Sequence, residues 1–156
     1  MARDRAHGQK LVAENRRARH DYELLDRYEA GLVLTGTEVK SLRDGRATLA
    51  QAYGDVRGDE VWLVGADIAP YGHGNMANHE PLRDRKLLLH RGEIASLIGK
   101  VRERGFTLVP TKLYFKDGRV KVELALARGK DVRDKREDIS RRDAQRQIER
   151  ALKGAR

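Results

Sequence analysis

Residues 106–127, FTLVPTKLYFKDGRVKVELALA, constrain the fold of this chain more than any other stretch. Two runs of alternating residues flank Asp117-Gly118. That dipeptide suits a two-residue hairpin because both of its turn positions take positive φ, and alternation of period two is the signature of a half-buried strand. Antiparallel β-structure is therefore the framework into which the rest of the chain must fit.

The upstream segments extend it. In HDYELLDRYEAGLVLTG, Tyr22, Leu24, Tyr28, Leu32 and Leu34 form a partly alternating run, a strand broken near Gly31. TEVKSLRDG predicts a short helix with Thr37 as its N-cap, Val39 and Leu42 one turn apart, and Gly45 at its end. LAQAYGDVRGDEVWLVGADIAPY predicts a second hairpin: a strand to Val56, a turn at RGDE, and a strand over residues 61–68. The embedded Arg-Gly-Asp is turn chemistry. GHGNMANHEP is a long loop closed by Pro81, and RKLLLH is a short apolar segment leading out of it. Ile94, Leu97, Ile98 and Val101 then fall at i, i+3, i+4 and i+7, the spacing of a helix with one face on a core, and Gly105 ends it. Strand, short helix, two strands, helix, two strands is the chain order of an OB-fold-like antiparallel Greek-key barrel, mainly β with helices. A plain α+β sandwich would give much of the same pattern.

Charge divides the chain differently. Of 33 Lys and Arg, 11 lie in residues 128–156, against 6 of the 24 Asp and Glu; the net +9 splits into +5 there and +4 over residues 1–127. The expected organisation is a flexible basic N-terminal arm at 1–18, a folded body at 19–128 and a basic tail at 129–156. Excess positive charge favours polyanionic partners. A membrane is not expected: no apolar run approaches spanning length, and the tail lacks an apolar face to insert. With no cysteine there is no disulfide, thiolate zinc site or cysteine nucleophile, and MARDRAHGQK lacks the apolar stretch of a secretory signal, so a cytoplasmic protein is expected.

Signals for chemistry are weak. GHGNMA matches the letters of a dinucleotide fingerprint but is followed by Asn78, His79 and Pro81 and opens no helical period. His73, His79 and Glu80 share a loop without metal-ligand spacing. A His79/Glu80 acid–base pair cleaving RNA is the best enzymatic version available, and neither catalysis nor a cofactor or metal is expected. Basic clusters carry more weight. They are Arg16, Arg17, Arg19 and His20; Lys40 and Arg43; Arg83, Arg85 and Lys86; and Lys112, Tyr114 and Lys116 alternating on one strand. Cations around a ring suit RNA, taking phosphates while the ring or an Arg plane stacks on an unpaired base.

The stretches NRRARHDYELLDRYEAGLVLTGTEVKSLRDGRA, GNMANHEPLRDRKLLLH, TLVPTKLYFKDGRVKVELALARGK and DKRED together resemble the SsrA-binding protein (small protein B) family, from about Asn15 to the end. The resemblance implies an OB-fold body that holds the tRNA-like domain of transfer-messenger RNA. It further implies an adaptor that delivers this RNA to stalled ribosomes in trans-translation, the tail occupying the empty decoding site and message channel. Further candidate partners, reached through the RNA, are alanyl-tRNA synthetase and elongation factor Tu. By motif, Glu29 in YEAG and Leu88 and His90 in KLLLH correspond to RNA-contacting positions, with Asn78 and the basic residues of NRRARH, EVKSLR and RDRK completing the grip. In the tail, the motif DKR is Asp134, Lys135 and Arg136, preceded by Gly129 and Lys130. The chain departs from the family at Asp131, where many members carry a cation, and at Arg133, where an aromatic residue or His is common. A ribosomal or initiation-factor-like OB protein binding ribosomal RNA directly is the alternative.

Acid-to-base pairs at i, i+4 (Asp131–Lys135, Glu137–Arg141, Asp138–Arg142 and Glu149–Lys153) favour a helical tail. Each contributes only ~0.2–0.5 kcal/mol, too little to hold an isolated helix. The tail is thus expected to be disordered when free and helical against ribosomal RNA, with Arg142, Arg146 and Arg150 in one cationic stripe.

Overall fold

The computed structural model describes residues 9–72, 78–129 and 146–148. The elements are β1 (Gln9–Glu14), α1 (Arg17–Asp21), β2 (Tyr22–Leu32), α2 (Gly36–Arg43), β3 (Ala47–Thr48), β4 (Tyr53–Arg57), β5 (Glu60–Val64), β6 (Asp67–Ile68), β7 (Arg85–Leu88), α3 (Arg91–Arg104), β8 (Thr107–Lys116) and β9 (Arg119–Gly129). Asp117 and Gly118 take φ of 52° and 79°, so the β8–β9 turn forms with two positive-φ residues as its composition requires.

Strands β8, β4, β5, β7, β2 and β9 pair antiparallel in that order, and β9 pairs back onto β8, closing a barrel. Because β2 lies beside β7 and not beside β4, the order is the Greek key of an OB-like barrel, as expected. Closure depends on one close approach. Gly54 of β4 opposes Leu108 of β8, and a Cβ at 54 would stand 2.7 Å from the Leu108 Cβ. Inside, Leu63, Leu87, Leu108, Leu113, Leu124 and Leu126 are buried, and Leu97 of α3 joins them from one end. The period of α3 is the predicted one, and Gly105, at φ 66°, ends it.

Three local expectations need correction. The predicted mobile arm contains a strand: β1 pairs with β8 from Gln9↔Lys116 to Glu14↔Lys112, and α1 follows directly. As an edge strand β1 half-buries only Val12 and Ala13 and leaves Leu11 exposed, so its apolar signature is faint. The cap of α2 is Thr35, not Thr37. Its side chain accepts from the Glu38 N–H, and the Glu38 carboxylate accepts from the Thr35 N–H at 2.8 Å, a reciprocal box that Thr37 has no acid to complete. The irregularity of β2 lies between Leu24 and Arg27, not at Gly31. Of the tail, Arg146–Ile148 are helical and exposed; the predicted tail residues Lys130, Arg133, Asp134, Lys135, Arg136, Arg142 and Arg150 lie outside the described residues.

Glu38 does more than cap. Fully buried, it receives Arg83 Nη2 at 2.5 Å and Arg85 Nε at 2.6 Å. Arg85 is also fully buried, and it donates further to the carbonyls of Ala66 (2.6 Å), Pro81 (3.1 Å) and Glu80 (3.3 Å). Burial pushes the Glu38 carboxyl up, but hydrogen bonds from Arg83, the Thr35 N–H and Arg85 outweigh it and hold the group below the usual carboxylate range. Replacing Glu38 by Ala strands a buried guanidinium and should destabilise by about 3–5 kcal/mol, read as a fall in Tm. Because the folded pKa is depressed, the stability contributed by Glu38 is present above roughly pH 4.3 and lost as pH falls through the lower folded value. Glu38→Gln should therefore be less stable at neutral pH and show a flatter acid limb in a stability-versus-pH titration.

Candidate nucleic-acid interface

The register of three strands builds one outward face. Glu29 of β2 opposes Glu123 of β9, which opposes Lys112 of β8; one row on, Gly31 opposes Lys121, which opposes Tyr114. Leu88 of β7 opposes Gly31 from the other side and is 52% exposed. Two carboxylates set directly opposite repel, and each is held by neighbouring donors. Glu123 accepts from the Thr111 hydroxyl and lies 3.5 Å from Arg27 Nη1. Glu29 accepts from the Tyr114 hydroxyl and from Lys116 Nζ at 3.2 Å. That phenol bond holds the Glu29 carboxyl below its ordinary pKa, against an opposing push from partial burial and with help from Lys116 and the charge of Lys121. The Tyr114 hydroxyl is raised, by burial first and by Glu29 second.

The predicted triplet Lys112, Tyr114 and Lys116 does share this face, and Lys112 Nζ sits 5.5 Å from the Tyr114 ring centroid. The ring itself is only 8% exposed. It organises Glu29 and Lys112 and is not open for a base to stack on, which corrects the role expected of it. Arg16 and Arg19 flank α1 and line a cleft of about 360 Å³ with Leu24, Arg27, Thr111 and Lys112, so the N-terminal cluster adjoins the strand face. Arg17 lines a second cleft, with Tyr22 and Tyr53. His20 is exposed, its Nδ1 2.9 Å from Asp21. On α2, Lys40 stands 5.5 Å over the Tyr71 ring, and the Arg43 carbonyl accepts from Lys10 at 3.3 Å. Since Gln9 opposes Lys116, this end of α2 adjoins the Lys116 end of the face. His90 is exposed at the N-cap of α3, where its N–H donates to Glu93 at 3.3 Å.

Other predicted contacts are spent on the fold. Arg85 is buried against Glu38 and offers nothing to a ligand; Arg83 is largely engaged by Glu38 and the Val33 carbonyl. Of that cluster Lys86 stays half exposed, paired to Glu60 at 2.5 Å. The Asn78 amide closes its own loop, donating to the Tyr71 carbonyl at 2.8 Å and accepting from two backbone N–H groups. The side chain of His79 is a strut: Nε2 donates to the Ile68 carbonyl at 2.8 Å, and Nδ1 is bonded to Thr37 Oγ1 at 2.9 Å. Its imidazole is thereby tied to the fold on both nitrogens and not paired with Glu80. Among the described residues no group of three or more His, Asp or Glu is arranged to hold a metal, and no helix is long and apolar enough to cross a membrane.

Lys10, Arg27, Arg119 and Lys121 belong to the same surface and were missed. For two of them the signal was present: counting back from Asp117-Gly118 pairs Lys116 with Arg119 and Tyr114 with Lys121. Arg27 lies just past the irregularity in β2, where counting by twos fails.

The phenol bond makes a prediction. Tyr114→Phe removes the main influence lowering Glu29, so the Glu29 pKa should rise toward roughly 4.3, followed by carboxyl-carbon chemical shifts in an NMR titration. Lys86→Ala should leave Tm within about 0.5 kcal/mol of wild type, as a surface change does; Arg85→Ala should unfold or strongly destabilise the barrel.

Comparison with known proteins agrees with this architecture. The family model described as SmpB protein matches residues 12–154. The SsrA-binding protein of Saccharopolyspora erythraea is 59% identical over 149 residues, covering 96% of this chain and 94% of that protein. The SsrA-binding protein of Mycolicibacterium smegmatis is 61% identical over 143 residues, covering 92% and 89%. A chain in the solved structure "tmRNA-SmpB: a journey to the center of the bacterial ribosome" superposes with a TM-score of 0.64 at 53% identity, covering 76% of this chain and 84% of that one. The names of those relatives describe a binding protein. On sequence and fold together, the chain belongs to the SmpB family.

Proposed function

We propose that this protein is the RNA-binding adaptor of trans-translation. Its barrel holds the tRNA-like domain of transfer-messenger RNA and brings that RNA to stalled ribosomes. Residues 129–156 then enter the vacant decoding site and message channel, in the cytoplasm and without catalysis by the chain itself. The observation that carries this reading is the face across β2, β9 and β8. There Arg27, Lys112, Lys116, Arg119 and Lys121 present cations around an exposed Leu88, on a chain that matches SsrA-binding proteins over nearly its full length.

The chemistry fits a shaped RNA. The cations take phosphates and set affinity without reading sequence. Glu29 repels phosphate but, held ionised by Tyr114 and Lys116, offers acceptor oxygens to base amino groups, and it fixes Lys116 in place. Arg16 and Arg19 extend the grip past β8. The tail leaves from the end of β9, where Gly129 opposes Tyr22 and Arg128 is ion-paired to Glu23, so it springs from a fixed point on the body.

Sequencing the RNA that copurifies with the protein from its own cells should return one dominant structured small RNA; ribosomal RNA alone would overturn the reading. Truncation after Lys130 should leave affinity for the tRNA-like domain nearly unchanged while abolishing tagging on stalled ribosomes, because body and tail act separately. Lys112→Ala and Lys116→Ala should each weaken RNA binding and flatten its log–log salt dependence by roughly 0.9 where the contact is to duplex, measured by filter binding across a salt series.

A further inference from the structure

In the row Leu88–Gly31–Lys121 the middle position has no side chain. A mid-strand glycine destabilises a strand by roughly 0.5–1 kcal/mol relative to alanine, so it needs a reason. Backbone conformation is not one, since Gly31 is absent from the positive-φ residues. Crowding is not one either. A Cβ there would stand 3.4 Å from the Leu88 Cβ and 3.7 Å from Lys121 Nζ, ordinary contact distances to side chains that can move. What remains is the other common use of a strand glycine, close approach of a ligand to the backbone.

The surroundings say what kind of ligand. Gly31 lines a cup of about 280 Å³ whose floor is apolar, with Leu34, Val39 and Val120 beside it, and whose wall is the half-exposed Leu88. Its rim carries Lys121 and Arg119, next to the hairpin tip, and no carboxylate lines it. An apolar floor under an all-cationic rim suits a flat uncharged ring attached to a polyanionic backbone. We infer that the cup at Gly31 receives one unstacked nucleobase of the bound RNA, with Lys121 and Arg119 taking the phosphates beside it. Lys121, whose ammonium leans over Gly31 in the free protein, swings outward as the base enters. This rests on the RNA-binding role proposed above and adds to it a place where one nucleotide is gripped by its base.

The test fills the cup. Gly31→Ala and Gly31→Val are measured alongside wild type for Tm, for affinity to an in vitro transcript of the tRNA-like domain, and for nucleotide-by-nucleotide protection of that transcript from base-modifying reagents. Wild type should protect one unpaired nucleotide strongly. Both variants should keep Tm at or above the wild-type value while losing affinity, roughly tenfold for Gly31→Val, the size of one lost apolar burial. Protection should vanish at that single nucleotide and persist elsewhere. Lys121→Ala should weaken binding and flatten its salt dependence, with protection of that base reduced but not abolished. Folded variants that bind and protect like wild type overturn the cup while leaving the adaptor role standing. Should Gly31→Val fail to fold, Gly31→Ala decides by the same readouts. A wild-type protein that holds no such RNA overturns both.

Discussion

The buried ion pair between Glu38 and Arg85 is the constraint on which the working surface depends. One carboxylate caps α2, holds Arg83 and neutralises a guanidinium that is itself tied to three backbone carbonyls. A buried charge is tolerable only when fully paired and hydrogen-bonded, and here every nitrogen of Arg85 has an acceptor. The pair pins the helix after β2 to the strand that carries Leu88. Without that tie the opposition of Gly31 and Leu88 would have no fixed partner on its far side.

On the outer surface the same chemistry serves a different end. Glu29 and Glu123 sit among five cations and orient some of them instead of cancelling the field. Lysine is a flexible point charge that loses side-chain entropy when it is fixed. A carboxylate that fixes Lys116 in advance spares the ligand that ordering, at the expense of some local attraction. The ring of Tyr114, covered by Lys112 and bonded to Glu29, makes this arrangement rigid.

Much of this was legible in the sequence. The Asp117-Gly118 hairpin, the period of α3 and the order of elements led to the barrel, because each is a local pattern with one strong structural meaning. What stayed hidden has physical causes. Arg85 stands between Asp84 and Lys86 and next to a loop, where charged residues are normally solvated; only the buried Glu38, 47 positions earlier, makes its burial possible. β1 buries too little to leave a pattern. Bulges in β2 and opposite Pro110 shift the alternation, so Arg27 escaped counting by twos. The resemblance brought Glu29 and Leu88 forward correctly as neighbours on one face, and it carried Arg85 and Asn78 with them although the fold consumes both.

β9 links the two ends of the protein's work. Lys121 lies near its start, and Gly129, from which the tail departs, ends it. Eight residues of strand at about 3.3 Å each set some 26 Å between them, along a strand hydrogen-bonded on both edges. A rod of fixed length therefore separates cargo from probe. The RNA and the tail travel as a rigid lever, and the distance between the two ribosomal places they can reach together is written into the number of residues in one strand.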